Sequence, residues 1–312
     1  MPGSELTAPR VRDLMSEIFS WLKRAEVERR KGLVDITDEP VDVDFEEEAG
    51  ASRATSSASL ALSPPPPVEA FAAGNFDLTR ACHRIRSVLD PHTLEGEQYR
   101  LLRSKLSLMQ KDQGIKILMI TSSVPGEGKT FTSCSLASVL ALEPGKRVLI
   151  VDGDLRRPRV CSEFGLTQAE PPDGLSQVLR GERRIDETLL KANDSNLYLL
   201  PAGPEPQNPA ELLSSANLER SIDSISVSFD WVIIDAPPVL AMADASIIAP
   251  LCDGILLVIH MENTPTKVIT QSIQRIGQER VLGLILNRVR QIKGSHYYYN
   301  YYHRGARGRL KS

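Results

Sequence analysis

Cysteine is scarce in this sequence. The 312 residues include four cysteines, and no two of them have the spacing of a metal-binding pair. We therefore expect neither a disulfide framework nor a zinc site, and this cysteine usage favours a reducing compartment.

Long hydrophobic runs and a strong charge imbalance are also missing. Apolar runs such as 255–259 have the length of a core strand, far short of the ~20 residues that span a bilayer. We expect no signal peptide or transmembrane helix. The formal net charge is −3, so no basic excess indicates a nucleic-acid partner, and we expect none. A cytoplasmic protein that reaches the membrane through a partner is the simplest expectation.

The most informative stretch is a glycine-containing loop, SSVPGEGKT at 122–130, between an apolar run and a helical pattern. This order of strand, loop and helix is typical of a nucleoside-triphosphate site. Gly126 and Gly128 let backbone N–H groups turn around a phosphate, while Lys129 can reach the terminal phosphates and Thr130 can offer its hydroxyl to Mg²⁺. The predicted ATP-binding residues are Ser123, Val124, Pro125, Gly126, Glu127, Gly128, Lys129, Thr130 and Phe131, with Ser123 replacing the first glycine of the general pattern.

Carboxylates follow two further apolar runs. The run at 148–151 ends in Asp152 and Asp154, and the run at 231–234 ends in Asp235. Because ligands lie at the carboxyl ends of parallel strands, these side chains should gather at the phosphate loop. We predict that Thr130, Asp152 and Asp235 fix Mg²⁺ directly or through water. The alternative is that the aspartates only end strands and cap helices.

Alternating strand and helix patterns predict an α/β fold, a P-loop NTPase-type, mainly parallel sheet with helices on both faces. We divide the chain into an amphipathic helical segment (1–34), a disordered acidic and Ala/Ser/Pro-rich linker (35–78), the phosphate-loop domain (79–290) and a flexible, tyrosine-rich basic tail (291–312). Within the domain, we predict long helices at 93–109, 131–142, 209–225 and 266–279.

The N-terminal segment repeats apolar residues at helical spacing. These residues are Val11, Leu14, Met15, Ile18, Phe19 and Leu22. Such a face needs a cover, which could be the chain's own folded domain, a partner protein or a membrane surface. The mixed charge that follows at 25–32 weakens the membrane alternative.

Together these motifs resemble the bacterial tyrosine kinases (BY-kinases) that work in capsule and exopolysaccharide production. The resemblance rests on the loop at 122–130, hydrophobic-Asp-x-Asp-x-Arg at 148–156, Ile-Ile-Asp-x-Pro-Pro at 233–238 and the tyrosine-rich end. It implies an ATP-dependent tyrosine autokinase whose catalytic residues are Lys129, Asp152, Asp154 and Arg156. In that family the first aspartate pair lies against the incoming tyrosine, so Asp154 or Asp152 would deprotonate the phenol, with Asp154 preferred.

The tail holds five of the seven tyrosines, which are followed by Arg304, Arg307, Arg309 and Lys311 with no acidic residue. A basic aromatic tail could bind nucleic acid, but a flexible phosphoacceptor explains the tyrosines better. Each phosphate would add roughly −1.5 to −2 charges. The predicted phosphoacceptors are Tyr297, Tyr298, Tyr299, Tyr301 and Tyr302.

Glu97, Arg100 and Arg103 recur at three-residue spacing on the first predicted helix. Such a set is usually a solvated face, but it is similar to the element with which BY-kinase subunits join into rings. The resemblance further implies autophosphorylation in trans within a homo-oligomer, a separate membrane chain-length regulator as activator, and a cognate tyrosine phosphatase.

Three rival interpretations remain. Positioning ATPases share the strand-end aspartates but carry a signature lysine where this chain has Val124, and an iron-sulfur scaffold ATPase would need a C-terminal cysteine pair where only Cys252 occurs. An inactive regulatory module lacks support because the reactive residues are present. His260 ends a predicted strand, where a packing role is commoner than a catalytic one.

Overall fold

The computed structural model describes residues 73–166 and 171–289. These residues form an eight-stranded sheet with helices on both faces, which confirms the predicted fold class. The strands are β1 (Gly74–Phe76), β2 (Ile117–Ser122), β3 (Val148–Asp152), β4 (Leu190–Ala192), β5 (Leu197–Leu200), β6 (Trp231–Asp235), β7 (Gly254–His260) and β8 (Val281–Asn287). The α-helices are α1 (His83–Leu89), α2 (Leu94–Gln113), α3 (Lys129–Leu140), α4 (Val160–Glu163), α5 (Leu175–Arg180), α6 (Pro209–Leu213), α7 (Ala216–Ser226), α8 (Asp244–Ile248) and α9 (Thr266–Ile276).

The strand order is β1-β4-β5-β3-β6-β2-β7-β8. Neighbouring strands are parallel except β4 and β5, which pair antiparallel. In the centre, β6 lies between β3 and β2, and its last residue, Asp235, is in register with both Asp152 and Ile120. The carboxyl ends of these three strands therefore meet at one edge of the sheet, where the phosphate loop leaves β2.

Two apolar cores cover the sheet, one on each face. Val151 and Val232 belong to the core under α9, whereas Ile150 and Ile233 belong to the core under α3. Because parallel strands are covered on both faces, they read as nearly continuous apolar runs. The whole of β2 and β3 is buried. This burial holds the loops at the strand ends on a rigid base.

The predicted start of the folded domain is wrong. β1 lies inside the segment 35–78 that we assigned to the linker, where it pairs in parallel with β4. Phe76 is buried, and its ring centroid lies 5.3 Å from that of Phe164. A strand of three residues is too short to show a hydrophobic period, and its partner is far along the chain, so the sequence pattern did not reveal it.

Helix ends also differ from the prediction. α2 continues to Gln113, where Gly114 takes a left-handed conformation with φ of 71°. α3 begins directly at Lys129, two residues earlier than predicted. The helix predicted at 209–225 is divided into α6 and α7 by the serines at 214–215, and α9 ends at Ile276.

Several predicted features lie outside the described residues. These are the N-terminal segment 1–34, most of the linker, and the tail with its five tyrosines. Within 73–166 and 171–289, no helix is both long enough and apolar enough to cross a bilayer.

Candidate nucleotide site

The phosphate loop is shaped by two glycines and by an asparagine from another strand. Gly126 and Gly128 have φ of 86° and 96°, a region that side chains with a Cβ rarely adopt. A Cβ on Gly128 would lie 2.1 Å from Asn287 Nδ2. That amide donates to the Glu127 carbonyl at 2.7 Å, so the end of β8 is hydrogen-bonded to the loop.

Glu127 holds the loop with its side chain. Its carboxylate is buried and accepts from the backbone N–H of Val124 at 2.9 Å and of His260 at 3.2 Å, and from the Thr264 hydroxyl. We predicted Glu127 as one of the ATP-binding residues of the loop. The structure shows that it connects the loop to the segment after β7. His260 takes part in this contact through its backbone.

Lys129 lies among carboxylates from two other segments. Its Nζ is 2.9 Å from Asp154 Oδ2 and 3.3 Å from Asp235 Oδ2. Asp235 also accepts from the Thr130 hydroxyl at 2.8 Å and from the Ser133 hydroxyl at 2.9 Å. Residues that are far apart in the sequence thus converge at the strand ends, as the parallel arrangement predicted.

Asp152 is completely buried, as is Asp235. One carboxylate oxygen accepts from the Val160 N–H at 3.0 Å, and the other faces the Asp154 N–H at 3.3 Å. Burial, followed by the charge of Asp235, raises the pKa of Asp152 to about 8. Burial likewise raises the pKa of Asp235. The cluster therefore carries negative charge at an electrostatic cost, and a cation stabilises it.

The oxygen donors of this site can hold Mg²⁺ only together with water and the phosphate oxygens of a bound nucleotide. Within the described residues, no three His, Cys, Asp or Glu side chains converge as a dedicated metal site. Magnesium in nucleotide sites is usually held by one or two carboxylates, water and phosphate oxygens. The Thr130 hydroxyl and the carboxylates of Asp235 and Asp152 match that donor set.

Ser123 contributes a further polar atom to the loop. Its Oγ is buried and has no hydrogen-bond partner in the part of the chain that the structure describes. Buried hydroxyls are nearly always hydrogen-bonded in complete structures. Among the loop hydroxyls, those of Ser122 and Thr130 have partners, so Ser123 is the one whose hydrogen bonding the loop leaves open.

Arg156 pairs with a residue that we did not predict. Its guanidinium makes two contacts with the Asp244 carboxylate, at 2.8 and 3.2 Å. Asp244 is fully buried on α8, whereas Arg156 is 32% exposed. The pair joins the segment after β3 to the segment after β6. The hydrogen bonds of the Arg156 guanidinium therefore go to Asp244, which lies outside the group formed by Lys129, Asp154 and Asp235.

A cleft of about 570 Å³ adjoins the first turn of α3. Phe131 and Thr132 line it on the loop side, and Asn287 lines it at the end of β8. The Arg84 guanidinium lies 3.9 Å from the centre of the Phe131 ring. A ligand whose phosphates occupied the loop could extend into this cleft.

The predicted interface residues on α2 do not form one free surface. Arg100 pairs with Glu97 at 3.0 Å and also donates to the Pro91 carbonyl at 2.9 Å. Arg103 donates to the Val139 carbonyl at the end of α3, at 3.1 Å. Arg103 thus packs within the domain, and Glu97 is the most exposed of the three.

Sequence analysis missed Ser133, Asp244, Thr264 and the role of Asn287. Asn287 follows an apolar strand in the same way as Asp152 and Asp235, so its position alone could have identified it. Asp244 and Thr264 lie beyond any motif, in connections whose path depends on the complete sheet.

Comparisons with known proteins agree with this geometry. Residues 115–282 match the model of the AAA domain family. Tyrosine-protein kinase YwqD of Bacillus subtilis (strain 168) is 36% identical over 223 residues, covering 71% of this chain and 92% of that protein. AmsA of Erwinia amylovora is 35% identical over 219 residues, which are 70% of this chain but 30% of AmsA. The kinase domain of the Escherichia coli tyrosine kinase ETK superposes with a TM-score of 0.57 and 30% identity, covering 63% of this chain and 78% of that one.

Proposed function

The chain belongs to the family of bacterial tyrosine-protein kinases, and we propose that it phosphorylates its own tyrosine-rich tail in trans within an oligomer. The observation that carries this proposal is the convergence of Lys129, Asp154 and Asp235 at the phosphate loop. A phosphoryl-transfer site needs this combination of a loop that binds phosphates, a lysine and strand-end carboxylates.

Binding of ATP would exchange the partners of Lys129. The loop N–H groups from Gly126 to Thr130 would donate to the phosphates. Lys129 now compensates Asp154 and Asp235, so its movement toward the phosphates would release the Asp154 carboxylate. We assign the neighbouring cleft, with Phe131 at its entrance, to the nucleoside.

Asp154 is the better candidate for the base. Backbone N–H groups occupy both oxygens of Asp152, which is completely buried. Asp154 accepts one backbone N–H, that of Arg157 at 3.1 Å, and its other oxygen pairs with Lys129, while its side chain is 6% exposed. Asp154 would accept the phenol proton while the phenolate oxygen attacks the γ-phosphorus and ADP leaves with the bridging oxygen. Asp152 would instead fix the backbone that carries Asp154.

Thr130, Asp152 and Asp235 would hold Mg²⁺ directly or through water. When bound, this ion supplies charge compensation for the phosphate oxygens. Arg156, held in place by Asp244, would add positive charge on the side of Asp154.

Assembly and cellular role rest on the family resemblance. We propose a ring-like homo-oligomer joined through the α2 face that carries Glu97 and Arg100, while Arg103 holds the helix against α3, with the tail of one subunit reaching the site of its neighbour. Phosphotyrosine on Tyr297 to Tyr302 would repel neighbouring tails, and a tyrosine phosphatase would reset them. A membrane chain-length regulator would recruit the cytoplasmic kinase and link it to exopolysaccharide or capsule synthesis.

Phosphosite mapping by mass spectrometry tests the reaction. Wild-type protein, Lys129→Met and Lys146→Met are each incubated with ATP and Mg²⁺, because Lys146 is a partly exposed lysine that pairs with Asp230 away from the loop. We expect phosphate on the tail tyrosines of the wild type and of Lys146→Met, and none on Lys129→Met. Phosphorylation that survives in Lys129→Met would reject the assigned site. ATP hydrolysis without any phosphotyrosine, even with a candidate membrane activator, would favour a positioning ATPase.

A further inference from the structure

Helix α2 carries a row of exposed leucines. Leu94, Leu101 and Leu108 are 38%, 57% and 60% exposed. They are seven residues apart, so they lie on one face of the helix with a drift of only about 20° per step. We call this set the leucine row. Single exposed leucines are common, but three in line on one helix form an apolar strip that a partner could cover.

The opposite face of α2 is already used. Leu106 is 2% exposed and belongs to the core between α2, α3 and the sheet. Among the described residues, the leucine row is therefore left facing solvent after α2 has packed in the domain. Covering it would remove apolar surface from water at roughly 25 cal/mol per Å².

The N-terminal segment has a matching pattern. Val11 and Ile18 are seven residues apart, as are Met15 and Leu22, so the segment repeats apolar residues with the same period as the leucine row. Two helices whose apolar residues share a seven-residue period can pack side by side with interdigitated side chains.

The connecting chain is long enough for a contact within one molecule. About 50 residues separate Leu22 from the start of the described domain, and a random coil of 50 residues has an average end-to-end distance of ~40 Å. The chain also enters the domain on the sheet face that α2 covers, because Phe76 of β1 and Leu106 of α2 share one core. A tether of this kind gives an effective concentration near the millimolar range.

We propose that the segment 9–31 folds back as a helix and covers the leucine row of its own chain. Glu97 lies on the same solvent-facing side of α2, one helical turn from Leu94 and from Leu101. Docking would therefore also cover the face that we propose for assembly, and the segment would regulate ring formation. This regulatory consequence rests on the proposed function, whereas the docking itself does not.

Cross-linking of the full-length protein tests the docking. Lys23 lies in the N-terminal segment, and Lys105 lies beside the leucine row. An amine-reactive reagent is applied without nucleotide to an equal mixture of isotopically light and heavy chains. We expect Lys23–Lys105 cross-links within single chains. They should fall by about tenfold in Leu101→Asp/Leu108→Asp and in Ile18→Asp/Phe19→Asp.

Leu142→Asp is the matched control, because Leu142 is 51% exposed but lies outside α2. This variant should keep the cross-link. Cross-links that persist in both double variants, or that never form, would overturn the proposal. Light–heavy cross-links that make up about half of the total, the share that random pairing of two chains gives in an equal mixture, would assign the leucine row to a second copy of the chain and would also overturn docking within one chain.

Sedimentation velocity then tests the regulatory consequence. Ile18→Asp/Phe19→Asp should increase the assembled fraction, since the α2 face itself is unchanged. If this variant lost its cross-links but kept the assembled fraction of the wild type, the docking proposal would stand and its control of assembly would be rejected.

Discussion

Two groups of charged residues in this domain have similar distances but different surroundings. Lys129 and Asp154 are separated by 2.9 Å, with side chains 12% and 6% exposed. Arg100 and Glu97 are separated by 3.0 Å, with side chains 21% and 58% exposed. Water screens the second pair, so it contributes little to folding, whereas the first pair sits where an uncompensated charge is expensive.

The buried and the exposed surroundings suit different functions. At the loop, buried polar partners hold the carboxylates in position before substrate arrives, which suits phosphoryl transfer. On α2, an exposed carboxylate can exchange its partner at small cost. The same pair of charge types can therefore serve chemistry in one place and reversible contact in the other. Substitutions in each group should separate these roles.

The largest effect is expected at Asp154. Asp154→Asn removes the proposed base, so phosphotransfer in a single turnover should fall by about 10²- to 10⁴-fold while ATP binding changes little. Asp223→Asn, at an exposed position on α7, should leave the rate unchanged. Rapid-quench measurement of phosphotyrosine, with ATP titration in parallel, gives both quantities. A large loss in Asp152→Asn with a normal rate in Asp154→Asn would exchange their roles.

The next effect concerns folding. Arg156→Met leaves Asp244 buried without its cation, so the free energy of unfolding should fall by about 2 kcal/mol, less than for a fully buried pair because Arg156 is partly exposed. Urea unfolding measures this value. Arg183→Met is the matched control, since Arg183 and its partner Asp173 are 52% and 41% exposed, and it should cost less than about 0.5 kcal/mol. Equal losses in both variants would show that burial does not distinguish these pairs.

A smaller effect is expected for the shape of the loop. Glu127→Gln replaces one carboxylate oxygen by an NH₂ group, which cannot accept from the N–H of Val124 or of His260. We expect ATP affinity to fall about tenfold, while the rate at saturating ATP changes less. Glu219→Gln, on the exposed face of α7, is the control. An unchanged affinity would mean that the loop keeps its form without this carboxylate.

The sequence predicted the site best where a functional side chain lies at the end of a strand. The apolar runs predicted β2, β3 and β6, and parallel order then predicted that Lys129, Asp154 and Asp235 would meet. Contacts made by connections between elements could not be read in this way. The bond from Glu127 to Thr264 and the pair of Arg156 with Asp244 depend on how loops cross the finished sheet edge.

Helix α2 shows a second limit of sequence reasoning. A spacing of three residues placed Glu97, Arg100 and Arg103 near one face, but it could not show that Arg103 would reach back to the Val139 carbonyl. Long side chains take whichever partner the neighbouring element offers. β1 is a similar case, because its only signal is a pairing with β4, far along the chain.

The smallest effect is expected for the exposed pair itself. A double-mutant cycle with Glu97→Ala and Arg100→Ala, measured by urea unfolding of the monomer, should give a coupling energy of about 0.3–0.5 kcal/mol. Arg100→Ala alone should cost more than Glu97→Ala, because it also removes the bond to the Pro91 carbonyl. Sedimentation velocity on the same variants should nevertheless show reduced assembly. A coupling energy above about 2 kcal/mol would place this pair with the buried group, and it would then be a poor candidate for a contact that must open and close.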